Sequence, residues 1–275
     1  SVTEIAKAFV TGYDTIEKRL YRARQSFREH NVSFDLPPDA ELQERLSNVL
    51  MAIYLLFNEG YNSTQHEDLI RNDLITESMR LCELICRSDK VKNFGAHALM
   101  ALICFTAARN DARLDAEGNI LLLKEQDRSR WNRELIAKGI HHLDQTGDSD
   151  TISRYHFEAV IAYEHAAAPD YASTKWASIL HYYDLLLRFH PSPVTALNRA
   201  IVVGELHGPA ACIKAIHSIE QVDSLKNYYI LPATLGEMHR QLHEYETANR
   251  YFEEAIRLTR SATEKKLLQQ KITLR

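Results

Sequence analysis

Residues 226–260 hold the pattern that most limits what this chain can become. A Leu235-Gly236 pair lies in one apolar stretch, and Tyr245, Ala248, Phe252 and Ala255 follow in the next. The last four fall at spacings of three, four and three, which is one stripe of a helix. The small residues sit where the two helices of a hairpin cross closely. Such a hairpin cannot bury its apolar face alone, so it must stack on a neighbour. An upstream unit ends at Pro191, with Ile179, Tyr183 and Leu186 in the matching second-helix places. Between them, 194–219 keeps small residues at Ala196, Ala200, Gly204, Ala211 and Ala215.

The same periodicity continues through most of the chain. Asp39 is expected to cap a long helix with the stripe Leu42, Leu46, Val49, Leu50, Ile53 and Phe57. Further helices are expected near 67–88, 93–109, 129–146, 150–167, 171–190, 193–207, 209–220, 226–242, 244–260 and 262–274. One stretch differs. Arg113-Leu114-Asp115, the turn-rich Ala116 to Asn119, and Ile120 to Leu123 carry the pattern of a small β-hairpin near 113–123. The fold class read from the sequence is all-α, with a solenoid of helical hairpins over 40–275. A unit of about 34 residues with Leu-Gly on its first helix and Ala, an aromatic and Ala on its second is of the tetratricopeptide (TPR) kind.

With 275 residues, 45% of them hydrophobic, the chain can bury one large core or several stacked ones. A net charge of −4 excludes a protein that is basic throughout, so any contact with nucleic acid must be local. The longest apolar run, Val49 to Phe57, is about half of the ~18 residues a membrane helix requires. No signal peptide is visible. A cytoplasmic protein without a membrane partner is expected. Cys82, Cys86, Cys104 and Cys212 are expected as buried free thiols rather than disulfides.

The sequence carries no P-loop, no G-x-G-x-x-G and no G-x-S-x-G. His239 and His243 are four apart, but the Glu of H-E-x-x-H is missing between them. His141-His142 has no evident third ligand. Asp115 to Gly118 is similar to a calcium loop, yet Arg113 and Lys124 fall where acids are needed. The expectation is no enzyme, no cofactor and no metal.

The N-terminus has a different character. Val2 to Phe9 reads as a short amphipathic helix and Thr11-Gly12-Tyr13-Asp14 as a break in which Gly12 supplies a positive φ. A second helix follows, with Asp14 expected as its N-cap and Ile16, Leu20, Ala23 and Phe27 as its apolar stripe. Its other faces hold Lys18, Arg19, Arg22, Arg24 and Arg28 around Glu17. A short helix, a turn and a basic helix form the geometry of a DNA-reading helix-turn-helix. Thr15, Lys18, Arg19, Arg22 and Arg24 are the candidate DNA-binding residues.

Here the chain resembles a known family. The run Val2-Thr3-Glu4-Ile5-Ala6-Lys7-Ala8-Phe9, then Thr15-Ile16-Glu17-Lys18-Arg19-Leu20-Tyr21-Arg22-Ala23-Arg24, is similar to the end of region 4 of bacterial RNA polymerase sigma factors of the extracytoplasmic-function (ECF) type. The remainder resembles the TPR-like C-terminal extension of one subgroup of these factors. Supporting runs are Phe57-Asn58-Glu59-Gly60-Tyr61, Ala112-Arg113-Leu114-Asp115, Gln126-Asp127-Arg128-Ser129-Arg130-Trp131 and Ser192 to Ala200. The resemblance implies three parts: residues 1–30 as a partial region 4, 31–39 as a linker containing Pro37-Pro38, and 40–275 as the extension. It implies promoter DNA (the −35 element) and, through a longer parent, core RNA polymerase as partners. Region 2 and the first half of region 4 have no counterpart here, so a fragment of that parent is expected.

The extension reads as a regulatory or protein-interaction module. Arg128, Arg130 and Trp131, with Asp127 and Arg133, are expected either as an ion-pair network or as a docking surface. Asn198 and Arg199 are expected to line a peptide groove or to bond a neighbouring hairpin. Two helices cannot bury the stripe Ile5, Phe9, Ile16, Leu20 and Phe27 by themselves. The N-terminal segment must dock on the extension through Phe34 and Leu36, pair with a second copy as a homodimer, or be poorly ordered. Rival readings of the whole are a TPR scaffold with a basic capping helix, and a one-component transcription regulator that senses a peptide.

Overall fold

A computed structural model of the chain describes residues 1–9, 11–32, 38–63, 69–147 and 152–272. The fold is all-α, with no strand among the described residues. In chain order the helices are α1 (Val2–Ala8), α2 (Tyr13–Glu29), α3 (Asp39–Tyr61), α4 (Asn72–Cys86), α5 (Phe94–Ala107), α6 (Arg133–Asp144) and α7 (Arg154–Ala167). There follow α8 (Trp176–Phe189), α9 (Pro193–His207), α10 (Pro209–His217), α11 (Ile230–Gln241), α12 (Tyr245–Leu258) and α13 (Ala262–Lys271). The chain divides into two compact units, Ser1–Ala96 and His97–Arg275, and the division falls inside α5. Helices α3 and α4 therefore group with α1 and α2. No helix among the described residues is long and apolar enough to cross a membrane.

In the first unit, α3 and α4 form the main hairpin. Leu46, Leu50, Ile53 and Phe57 line the buried side of α3 at spacings of four, three and four, while Val49, expected in the same stripe, is exposed. Ile75, Ser78, Cys82 and Cys86 line the buried side of α4. The loop between them is closed by Arg71, whose N–H donates to the Gly60 carbonyl at 2.7 Å. α1 packs against both α2 and α3. Phe34, Leu36 and Pro37 of the expected linker lie outside the described residues.

In the second unit each helix from α6 to α13 packs on the next. The run from Ala98 to Phe105 in α5 is buried on every side, as expected of a central helix. The TPR-like hairpin is α11–α12. Leu235, Gly236, Ala248, Phe252 and Ala255 are all buried, whereas Tyr245, the first residue of α12, is largely exposed. A Cβ on Gly236 would lie 2.8 Å from the Phe252 ring and 3.2 Å from the Ala248 carbonyl. The glycine thus permits the helix crossing that the sequence pattern calls for. All four cysteines are free and buried.

The hairpin expected near 113–123 reduces to one antiparallel bridge, Leu114 to Ile120. Asp115 shapes the turn. Its carboxylate accepts the N–H groups of Glu117 (3.0 Å) and Asn119 (2.7 Å), closing a tight turn with Gly118 at φ 77°. A 3-10 turn at Leu123–Glu125 then diverts the chain before a second rung can form. Side-chain caps likewise delay some helices relative to their expected starts. Asn132 Oδ1 accepts from Leu135 N at 3.0 Å and sets the start of α6, and Asp170 Oδ1 accepts from Ser173 N at 2.7 Å ahead of α8.

Candidate nucleic-acid interface

Helix α2 begins two residues earlier than expected. Gly12, not Asp14, is its N-cap, and Asp14 lies in the first turn, where an acid favours the positive end of the helix dipole. Gly12 has φ −76°, so the break needs no left-handed residue there. A Cβ at that position would meet only Thr15 Oγ1, at 3.9 Å. The turn is held by backbone instead: Thr15 N donates to the Gly12 carbonyl at 3.1 Å and Thr11 N to the Ala6 carbonyl at 2.9 Å.

The apolar stripe of α2 is only partly used. Ile16 is buried and Leu20 half-buried, while Ala23 and Phe27 are exposed. Phe9 in the turn and Tyr13 at the helix start are also about half exposed. Every basic residue of the helix is exposed: Lys18, Arg19, Arg22, Arg24 and Arg28. Thr15 is exposed too. Among the described residues no ion pair or hydrogen bond engages those five basic side chains. Elsewhere in the same unit, Arg45 pairs with Glu41, Arg80 with Glu77 and Arg87 with Glu83, each one helical turn back. Lys18, Tyr21, Arg22 and Gln25 share one face, directed away from Ile16 and Leu20. Such a surface can neutralise phosphates and donate to base edges without first breaking an internal contact.

The candidate interaction residues of the second unit fall differently. Trp131 is 2% exposed and Arg128 is buried, so neither offers a docking surface. Arg128 Nη1 donates to the carbonyls of His165 (2.5 Å) and Ala168 (2.7 Å), and its guanidinium stacks 4.7 Å from the Trp131 ring centre. No ion pair joins Asp127, Arg128, Arg130 and Arg133 among the described residues. The expected network is replaced by backbone carbonyls and a cation–π contact. Asp127 caps a 3-10 turn through Ser129 N, and Arg130 is exposed. Burial and the nearby Arg109 and Arg128 push the His165 imidazole down to about 4, keeping it neutral at physiological pH. On α9, Arg199 pairs with Asp184 of α8 at 2.5 Å, which ties adjacent helices together, while Asn198 is half-buried beside it.

The second unit also has a cleft of about 610 Å³, lined by Asn119, Ile120, Leu122, Arg240, Leu267 and Lys271 among others. Its cations are already engaged: Arg240 Nη2 and Lys271 Nζ each lie 2.7 Å from the Glu237 carboxylate. Tyr21, not among the candidate DNA-binding residues, is exposed as well; its spacing, three residues from both Lys18 and Arg24 and off the apolar stripe, is legible in the sequence.

Comparison with known proteins gives two likenesses. Residues 45–147, from within α3 to just beyond α6, match a family of unknown function (DUF6596). Over 264 residues the chain is 33% identical to an uncharacterized protein of Rhizobium meliloti (strain 1021), a match covering 96% of this chain and 62% of that protein. The chain therefore spans less than two thirds of the relative's length. No solved structure matches it.

Proposed function

We propose that this chain is the C-terminal part of an ECF-type alternative sigma factor acting in the cytoplasm. In this reading α1 and α2 are the closing helices of region 4, and α2 reads the −35 element of a promoter. The helices from α3 onward are a regulatory or protein-interaction extension, and core RNA polymerase is a partner of the longer parent. One observation carries the reading: α2 presents five exposed basic side chains that no acid of the described structure engages. A basic face on a structural helix would normally be laced by acids one turn away, as in α3 and α4. The match to a longer relative is in keeping with a parent that contains more than this chain.

The test is promoter binding by the full-length parent with Lys18→Ala and Arg22→Ala. Each lost base contact is expected to cost about 1–3 kcal/mol. Each lost phosphate contact should lower the salt dependence of binding by roughly one unit of slope. The fold should be unchanged, because both side chains are exposed and unpaired. Undiminished −35 footprints with both substitutions would overturn α2 as the reading helix.

A further inference from the structure

We infer that Tyr21 is a specificity-determining residue of α2, packing its ring on the C5-methyl group of a thymine in the major groove. The inference rests on the reading of α2 as a DNA-reading helix. Tyr21 is 67% exposed and lies outside the helix's apolar stripe, so its ring serves no packing in the described structure. Its surroundings are those of a groove-facing surface. Lys18 and Arg24 lie three residues away on either side and Arg22 is adjacent, all exposed and unpaired. Gln25, the other long uncharged side chain on that face, is occupied: its Nε2 donates to Glu29 Oε1 at 2.7 Å. Tyr21 is thus the one large apolar surface set among free cations on the outward side of α2.

That arrangement selects a ligand feature. The cations suit phosphates and guanine acceptors, whereas an exposed ring surrounded by them needs an apolar partner. In the major groove the apolar group that a base pair displays is the thymine methyl. A ring placed between phosphate-binding side chains would be held at the depth of the base edges. Base-edge contact by Tyr21 therefore divides the labour on α2, with the basic side chains fixing register on the phosphates and the ring choosing thymine.

The experiment uses the full-length parent and a DNA duplex that it enriches from a randomised pool. Each thymine of that duplex is replaced in turn by deoxyuridine, which lacks only the methyl group. The wild-type parent should lose affinity, on the order of fivefold or more, at one thymine or two adjacent ones. Tyr21→Ala should bind the thymine duplex more weakly by a similar factor and no longer distinguish thymine from uracil there. Tyr21→Phe should behave like wild type, since the ring and not the hydroxyl makes the contact. Circular dichroism melting of each variant checks that the helix is intact. If Tyr21→Ala keeps the full thymine preference while Lys18→Ala and Arg22→Ala lose affinity, the assignment of Tyr21 is overturned and the reading of α2 stands. If no duplex is enriched at all, both are overturned together.

Discussion

In the α11–α12 hairpin Phe252 is fully buried beneath Gly236, whereas around the α1–α2 turn Phe9, Tyr13, Tyr21 and Phe27 all remain about half exposed or more. The charges divide in the same way. Glu237 of α11 gathers Arg240 and Lys271 into one cluster, while the five bases of α2 meet no acid among the described residues. Two helices joined by a short turn are thus used to opposite ends. One hairpin spends its apolar and ionic groups on its own packing. The other buries Ile16 but leaves its basic groups and much of its apolar surface exposed, and surface chemistry that a chain leaves unengaged is where an external ligand can be bound without first disrupting the fold. The contrast makes quantitative demands on each hairpin.

The largest effect should come from Phe252→Ala. Removing a fully buried ring from α12 is expected to lower stability by about 3–5 kcal/mol. Phe27→Ala, on the half-exposed side of α2, should cost under about 1 kcal/mol. Urea unfolding followed by circular dichroism reads both. Comparable losses would erase the distinction between a packed hairpin and a presented one. Next is Gly236→Ala. Its new methyl would sit 2.8 Å from the Phe252 ring, so the crossing must open, at a cost of about 1–3 kcal/mol. A melting temperature equal to that of the parent protein would mean that the two helices do not meet at Gly236.

Acid should then probe the ionic half of the packed hairpin. Burial alone would raise the Glu237 carboxyl, but hydrogen bonds from Arg240, Lys271 and Gln241 outweigh it and hold the group at about 2, against 4.5 for a free glutamate. The folded state therefore keeps this proton off at pH values where the unfolded chain binds it. The resulting stability is complete above about pH 4.5 and is lost as pH falls toward 2. Because the group is only half-buried, solvent screening limits the contribution to about 1–2 kcal/mol. Glu237→Gln should flatten that limb of the stability–pH curve. An unchanged acid limb in the variant would show that the cluster stabilises nothing.

What the sequence disclosed follows from how local each determinant is. The stripe Leu46, Leu50, Ile53, Phe57 and the set Leu235, Ala248, Phe252, Ala255 were legible because burial imposes helical periodicity directly on residue type. Val49 and Tyr245 broke the pattern for want of a neighbour: Val49 falls just off the buried arc and Tyr245 stands at an open helix end. Ala23 and Phe27 match the stripe of α2 and are still exposed, since periodicity states which face is apolar but not how far it is buried. The environment of Arg128 could not be read at all. Its shortest hydrogen bonds go to backbone carbonyls 37 and 40 residues away, with the Thr174 hydroxyl a third acceptor, and a carbonyl carries no signature in the sequence. Within the candidate interface the bases were visible as residue types, while their freedom from acids depended on the rotation of α2 about its axis.

The smallest effect sharpens the comparison most finely, because it sets a paired base against an unpaired one in the same unit. Arg45 Nη2 lies 2.7 Å from Glu41 Oε2 on the exposed side of α3, one turn apart. Glu41→Ala should therefore cost only about 0.3–0.5 kcal/mol, the value of an exposed i,i+4 pair. At about 1 M salt, where the screening length falls to about 3 Å, even that loss should vanish. Lys18→Ala has no such pair to lose, so it should not destabilise the protein at any salt concentration; relief of its repulsion with Arg22 one turn away should, if anything, stabilise it slightly at low salt, and its loss of function should fall on DNA binding. Melting curves for the two variants at low and high salt test both statements. A salt-sensitive destabilisation by Lys18→Ala would reveal an intramolecular partner for α2 and remove the ground for treating its basic face as a free surface.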